Sequence, residues 1–298
     1  MGVTQSQTIA PSLVKDFAEV TKMRLSVSVV ISSIAGYLLG ADTVSFSVLV
    51  LLAIGGYCMV GASNVFNQVI EKDIDALMHR TKNRPVASGR LSVNTAMTLA
   101  IVLTLLGLSI LYAINPKTSM FGAISIFMYV SLYTPLKTKT PLSVFVGAFP
   151  GAIPFMLGWV AATNNFGIEA GTLFMIQFFW QFPHFWAIGW FLYDDYARAN
   201  IYMLPNGKRN KSTALQMLLY TLWTVLCSLI PIFGLTGDLK LTPIAGVIVG
   251  LIGVWNLYYA YKMYKIRNEA MARKLMLISV SYITLIQLIY VLDKFLLQ

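Results

Sequence analysis

Nine uncharged stretches divide the charged residues of this 298-residue chain, and each stretch is 17 to 29 residues long. A helix of roughly 20 apolar residues spans the hydrocarbon core of a bilayer. The composition agrees, because 57% of the residues are hydrophobic and 11% are charged, whereas about a quarter are charged in a soluble domain. The sequence therefore predicts an all-α integral membrane protein with nine transmembrane helices. It excludes a disordered chain, a disulfide-stapled secreted domain and a soluble nucleic-acid-binding protein.

The basic residues predict the orientation of these helices. Of the 22 Lys and Arg residues, 19 fall in the N-terminal segment and the even-numbered connections, and 3 fall elsewhere. Because basic residues concentrate in cytoplasmic loops, we expect the N-terminus on the cytoplasmic side of a cell inner membrane. Residues 1–24 are predicted to form a cytoplasmic tail and interfacial segment, and residues 25–298 one nine-helix membrane domain. The N-terminal segment lacks an Arg-rich transit peptide, which favours a bacterial over a mitochondrial membrane.

Acidic and amide side chains close the second predicted span at a helical spacing. Asn67, Glu71 and Asp75 stand at positions i, i+4 and i+8, and they share one face if the helix continues. Like charges at this spacing destabilise an isolated helix, so the acids are expected to need a cation. Oxygen ligands of this kind suit Mg²⁺, which is often shared with substrate phosphates. The alternative is a solvated helix end whose acids neighbour basic residues.

A cationic loop, His79 to Arg90, follows these acids and contains Arg80, Lys82 and Arg84. Guanidinium groups bind phosphate oxygens in a fork, so these side chains are candidate diphosphate contacts. A basic loop alone is explained by topology or by anionic lipid, but acids and cations together are typical of a metal–diphosphate site. Weaker candidates for the same anion lie on other connections: Lys22, Arg24 and Lys137.

The fifth and sixth predicted spans contain helix-breaking residues. In the fifth, Gly147 and Gly151 predict a close helix contact, and Pro150 and Pro154 leave backbone carbonyls that must find partners inside the protein. In the sixth, Pro183 predicts a break or a kink in the helix.

An ionisable residue follows Pro183. His184 is the only histidine at membrane depth, and its neighbours Phe185 and Trp186 could stack on a flat ligand. The alternative is a neutral histidine hydrogen-bonded between helices. Two acids, Asp194 and Asp195, close the span on the side of the membrane that Glu71 occupies.

Together these motifs resemble the UbiA-type intramembrane prenyltransferases. Asn67-x-x-x-Glu71-x-x-x-Asp75, followed by Arg84-Pro85, is similar to the first signature of that family. The run from Trp180 to Phe185 resembles the branch that farnesylates protohaem IX. The resemblance covers roughly residues 21 to 205. One departure concerns the second family motif, Asp-x-x-x-Asp, because Ala199 stands four residues after Asp195. Either the adjacent Asp194 replaces the missing ligand or fewer protein ligands hold the second metal position.

The resemblance implies both architecture and activity. It implies nine helices around a central cavity, Mg²⁺ as cofactor, and transfer of a farnesyl group from farnesyl diphosphate to the vinyl group of protohaem IX, giving haem O. Its catalytic residues correspond to Asn67, Glu71, Asp75 and Asp195, with Asp194 as a further metal ligand, and the haem site to residues 184–186. A haem A synthase or terminal oxidase assembly proteins are implied as partners in the lipid bilayer.

Three other functions are consistent with parts of this pattern. A prenyltransferase for an aromatic quinone or chlorophyll precursor needs the same diphosphate cluster but no histidine after Pro183. A secondary transporter also uses intramembrane acids, but the acids here lie at the ends of spans. A non-catalytic haem-handling membrane protein would need only His184.

Overall fold

A computed structural model describes residues 13–298. Residues 1–12, the first half of the predicted tail, lie outside the described part of the chain. The helices are, in chain order, α1 (Leu13–Val20), α2 (Met23–Gly40), α3 (Phe46–Ile70), α4 (Lys72–Leu77), α5 (Val93–Ile114), α6 (Pro116–Phe127), α7 (Thr134–Leu136), α8 (Ser143–Thr163), α9 (Ile168–Phe191), α10 (Tyr193–Arg198), α11 (Lys211–Leu229), α12 (Pro243–Ile266) and α13 (Glu269–Leu296). Within residues 13–298 there is no β-strand. The all-α fold class is confirmed.

Eight helical segments are long and apolar enough to cross a membrane. One of them runs from α6 through a π-helical turn, Met128–Tyr133, into α7. Helix α9, with 24 residues, is long enough but falls outside this set. Its glutamines, Pro183 and His184 lower its hydropathy. The eight segments establish a multi-pass membrane protein, and the sixth of the nine predicted spans, which is not among the eight, corresponds to α9.

The long helices form two groups that share contacts through α8 and α9. In the first group α2, α3, α5, α6 and α8 pack in sequence, and α8 returns to contact α2. In the second group α9, α11, α12 and α13 pack in sequence, and α13 returns to contact α9. We call the end of the bundle that carries Glu71 and Asp75 the site end. The C-termini of α3 and α9 and the N-termini of α2 and α8 lie there.

Helices α2 and α8 cross closely in the half of the bundle away from the site end. A Cβ atom on Gly36 would overlap the carbonyl oxygen of Phe155, and one on Gly158 would overlap that of Ser33. Only glycine allows the two backbones to approach this far. The crossing therefore closes the bundle on the side opposite the acids.

The prolines of α8 have their backbone partners inside the protein. Pro154 has no N–H for the carbonyl of Pro150, and Ser125 Oγ donates to that carbonyl oxygen at 3.4 Å. Gln181 Nε2 of α9 donates to the carbonyl oxygen of Ala148 at 3.4 Å. A Cβ on Gly151 would overlap the Gln181 amide. The predictions of a close contact at Gly151 and of a partner inside the protein for the carbonyl that Pro154 frees are confirmed.

The predicted break at Pro183 is wrong. Helix α9 continues through this residue to Phe191. Pro183 is buried, and α9 packs against α8, α11 and α13 along its length. Neighbouring helices on three sides hold the chain helical despite the missing hydrogen bond, as they commonly do for prolines in membrane helices.

Candidate active site

The acids that follow α3 share one buried face. Helix α3 ends at Ile70 and α4 begins at Lys72, yet the backbone hydrogen bonds continue, from Glu71 N to Asn67 O at 2.9 Å and from Asp75 N to Glu71 O at 2.7 Å. Asn67, Glu71 and Asp75 are all buried, with exposures of 2%, 4% and 0%. The prediction of one common face is confirmed.

Each of the two carboxylates has a basic partner from a different connection. Arg84 Nη1 lies 2.8 Å from Asp75 Oδ1 and 2.7 Å from Oδ2. Lys137 Nζ lies 2.8 Å from Glu71 Oε1, and 4.5 Å from the centre of the Tyr133 ring. The sequence-predicted cations Arg84 and Lys137 are therefore brought directly to the predicted acids.

Burial and these partners set the protonation of the cluster. Burial raises the pKa of the Asp75 carboxyl, and Arg84 opposes this shift without reversing it. Burial lowers the pKa of the Lys137 ammonium, but Glu71 and Tyr129 together raise it by more, so the net direction is upward. Lys137 therefore stays charged and is a permanent cation beside Glu71.

Asn67 presents an oxygen to the same space. Its Nδ2 donates to Thr134 Oγ1 at 3.4 Å, and Thr134 Oγ1 donates to the carbonyl oxygen of Tyr129 at 2.9 Å. With the amide nitrogen engaged, Asn67 Oδ1 is left as an acceptor. Thr134 was not predicted as a site residue, and only its position next to the Lys137 connection pointed to it.

Lys22 enters the cluster from the junction between α1 and α2. Its backbone is left-handed, with φ 48°, a conformation that a lysine rarely adopts and that is concentrated at functional sites. Burial, followed by the charges of Arg84, Lys137 and Arg80, lowers the pKa of its ammonium to about 7, while Glu71 opposes the shift. The strained turn thus holds a third basic side chain near the same carboxylates.

The two acids after α9 point to different partners. Asp195 Oδ1 accepts from the backbone N–H of His79 at 2.8 Å, and Oδ2 accepts from that of Arg80 at 3.3 Å. Asp195 therefore joins α10 to the cationic loop beside Asp75. Asp194 is exposed and pairs with Arg209 at 3.0 Å. The structure does not bring Asp194 to the acids of α3, because adjacent residues of a helix point about 100° apart.

The remaining predicted cations lie at the margin of the cluster. Arg80 is exposed, 5.9 Å above the Tyr196 ring. Arg24 and Lys82 are also exposed, and among the residues that the structure describes no contact joins either side chain to the acids.

An anchor of the cationic loop was missed by the sequence analysis. Arg90 lies 3.2 Å from Asp16 and 2.5 Å from Glu19 on α1, and it donates to the carbonyl oxygen of Asn83 at 3.0 Å. These contacts hold the end of the loop against α1, next to Arg84. The only available signal was a cation at the loop end and two acids in an amphipathic N-terminal helix.

His184 lies on a separate face of α9, toward α13. Its ring stacks on Trp180 with centroids 4.7 Å apart, Phe185 meets it edge-on at 5.4 Å, and Nδ1 lies 2.9 Å from Ser279 Oγ. Trp180 was not predicted as a site residue, although the i−4 spacing indicates it.

The grouping of Trp186 with His184 is wrong. Trp186 is buried, and its ring packs against Phe182 and against Tyr220 of α11, with centroids 5.3 and 5.0 Å away. Residues two apart on a helix point in nearly opposite directions. Trp186 therefore belongs to the α9–α11 contact and not to the surface that His184 presents.

An apolar cavity lies along the part of α3 that precedes Asn67. Its walls come from α2, α3, α5, α6 and α8, and include Val30, Met59, Ser63 and Leu157. Ser63 is one helical turn from Asn67 on α3, about 6 Å along the axis. An apolar chain attached to an anion at Glu71 and Asp75 would therefore meet a mainly hydrophobic wall.

The donor set fits one particular mode of metal binding. Within residues 13–298 no three His, Cys, Asp or Glu side chains are grouped closely enough to form a complete metal site. Mg²⁺ is usually held by one or two carboxylates together with waters and substrate phosphates. Glu71, Asp75 and the free oxygen of Asn67 fit that arrangement, with cations beside them for the phosphates.

Similarity to known proteins identifies the family of this chain. The UbiA prenyltransferase family matches residues 29–284, and the chain belongs to that family. It is 65% identical over 295 residues to the protoheme IX farnesyltransferase of Christiangramia forsetii, covering 99% of this chain and 98% of the relative. It is 66% identical over 288 residues to the protein of that name from Flavobacterium psychrophilum, covering 96% of each.

Solved structures share the fold. A structure of digeranylgeranylglyceryl phosphate synthase matches with a TM-score of 0.78 and 17% identity, over 94% of this chain and 98% of that one. A UbiA homolog from Archaeoglobus fulgidus bound to GPP and Mg²⁺ matches with a TM-score of 0.65 and 15% identity, over 92% and 99%. The helical arrangement is therefore the one that this family uses.

Proposed function

We propose that this chain transfers the farnesyl group of farnesyl diphosphate to a vinyl group of protohaem IX, giving haem O and diphosphate. The observation that carries the proposal is the near-full-length similarity to protohaem farnesyltransferases. The geometry supports the proposal, since the buried acids have basic partners and an apolar cavity lies farther along α3.

The cations bind and stabilise the diphosphate. Arg84 uses Nη1 on Asp75, so Nη2 and Nε remain for phosphate oxygens. Lys137 and Lys22 add two more nitrogens from other sides. As the allylic C–O bond breaks, the electron pair leaves with the diphosphate, and fixed cations around that leaving group lower the barrier. Arg80, Lys82 and Arg24 are proposed as outer contacts.

The acids hold the metal. Asn67, Glu71 and Asp75 are proposed Mg²⁺ ligands, and Asp195, which accepts from the backbone of the cationic loop, is proposed as a further one. Bound Mg²⁺ supplies charge neutralisation for the leaving diphosphate. The allylic carbon bonds to the terminal vinyl carbon of the haem, and water captures the resulting cation and releases a proton. This chemistry needs no protein nucleophile.

The same proposal assigns topology and surroundings. Helix α9 is the sixth of nine crossings, and the excess of cations at the site end puts that end and the N-terminus on the cytoplasmic side of the inner membrane. The product is proposed to pass to a haem A synthase or to assembly proteins of terminal oxidases.

The test is a reconstituted reaction. Purified protein in nanodiscs is incubated with farnesyl diphosphate, protohaem IX and Mg²⁺, and the pigment is analysed by chromatography and mass spectrometry. Farnesylated, hydrated haem is the expected product. Haem-independent prenylation of a phenolic acceptor, with no haem product, would replace the proposal by the quinone-type activity.

A further inference from the structure

A hydrogen-bonded pair between α9 and α13 fixes His184. Its Nδ1 lies 2.9 Å from Ser279 Oγ, and Ser279 Oγ donates to the carbonyl oxygen of Met276 at 2.7 Å. A serine hydroxyl has one hydrogen. With that hydrogen directed to Met276, the oxygen accepts from His184, which assigns the imidazole proton to Nδ1.

The other ring nitrogen is left as a ligand. In a neutral imidazole with its proton on Nδ1, Nε2 has a free lone pair. Among the residues that the structure describes, the ring's hydrogen-bonding neighbours are Ser279 Oγ, at Nδ1, and the backbone of Met276. None of the side-chain hydrogen bonds involves Nε2, and the side chain is half-buried rather than enclosed. Metal-binding histidines are typically held in this way, with the second nitrogen donating to a protein oxygen that fixes the tautomer and the ring plane.

The same serine also holds the ring that stacks on His184. Trp180 Nε1 donates to the carbonyl oxygen of Ser279 at 2.6 Å, and the Trp180 and His184 rings are 4.7 Å apart and tilted by 20°. Three hydrogen bonds thus meet at one residue of α13 that is 1% exposed. Packing alone would not need both a fixed tautomer and an unpaired nitrogen.

We propose that Ser279 is a positioning residue that fixes His184 as the Nδ1–H tautomer, so that His184 Nε2 ligates the iron of the protohaem substrate. The proposal rests on the proposed function for the identity of the acceptor. It assigns α13 a part in substrate binding that neither the motifs nor the comparisons indicate. Trp180 limits rotation of the imidazole, and Phe185 borders its other edge.

The experiment is a haem titration of the purified full-length protein in nanodiscs, followed by resonance Raman spectroscopy of the ferrous complex. The wild type is expected to show an iron–histidine stretching band, which His184→Ala removes and added imidazole restores. Ser279→Ala should weaken haem binding about 10- to 100-fold, the range for loss of a hydrogen bond that orients a metal ligand, and should shift the band. Ser279→Thr, which keeps the hydroxyl, should restore both.

The matched control is Ser281→Ala, the same change two residues along α13. Ser281 is exposed and donates only to the carbonyl oxygen of Leu277 at 3.2 Å, so binding and band should be unchanged. Wild-type affinity and band position in Ser279→Ala would overturn the positioning role. A wild-type complex without the band, in a preparation that still makes farnesylated haem, would overturn iron ligation while the proposed function stands. A band without any haem product would leave the ligation supported and refute the proposed function.

Discussion

Replacing Arg84 with lysine separates two roles that this residue plays. Arg84 Nη1 alone contacts both oxygens of Asp75, at 2.8 and 2.7 Å. A lysine ammonium can occupy the position of that one nitrogen. It cannot supply the second edge of the guanidinium, Nη2 and Nε, which is proposed to face the diphosphate. Arg84→Lys should therefore keep the buried ion pair and lose anion contacts.

The expected losses in diphosphate affinity and in stability can be worked out from the lost hydrogen bonds and from the burial of Asp75. Hydrogen bonds to charged groups contribute about 1.5–3 kcal/mol, which corresponds to a loss of roughly 10- to 150-fold in diphosphate affinity. Asp75 is completely buried. Arg84→Met leaves this carboxylate without its cation, and breaking a buried pair in this way costs about 3–5 kcal/mol of stability. Arg84→Lys should retain most of that stability.

Two measurements separate these effects. Calorimetry with inorganic diphosphate and Mg²⁺ reports affinity, and thermal unfolding in detergent reports stability. Arg209→Lys is the matched control, since Arg209 pairs with Asp194 and Glu269 away from the buried acids, and it should bind diphosphate normally. If Arg84→Lys also binds diphosphate like the wild type, the guanidinium edge has no role in anion binding and the loop serves only topology.

Three other outcomes test neighbouring parts of the molecule. Glu71→Gln should leave the protein folded and inserted but nearly abolish turnover at saturating Mg²⁺, because an amide is a poor replacement for the carboxylate ligand; single-turnover rates like the wild type would reject the assignment. Between pH 7 and 9, binding of diphosphate should take up a proton, because burial lowers the pKa of the free Lys22 ammonium to about 7 and a bound anion raises it. Calorimetry in buffers of different ionisation enthalpy measures this uptake. The variant Lys22→Arg, whose side chain is charged over the whole pH range, should take up no proton. Equal proton uptake in the variant would assign the proton to another residue. Gly158→Ala should lower thermal stability by about 1–3 kcal/mol, the usual cost of overpacking, because the added Cβ meets the backbone of α2. The control Gly171→Ala, with open space around it, should leave stability unchanged. Equal stabilities of the two variants would argue against the close crossing.

Much of the fold could be predicted from the sequence, because it depends on near neighbours along the chain. Apolar run length determines which segments can cross a bilayer, and eight of the nine predicted segments meet that requirement in the structure. Helical period placed Asn67, Glu71 and Asp75 on one face. The same period already separates Trp186 from His184, so that error lay in reading sequence proximity as spatial proximity.

Only the tertiary structure decided which groups meet across the bundle. The pairing of Glu71 with Lys137, 66 positions away, depends on how α3 and α6–α7 end beside each other. The contact between His184 and Ser279 depends on how α13 returns against α9, and no periodicity in either helix predicts its rotation about its own axis. Hydropathy and period are local properties that the sequence states directly. The rotation of one helix about its axis relative to another is determined by many small packing contacts between distant segments. These contacts determine which residues become the partners of the acids and of the histidine.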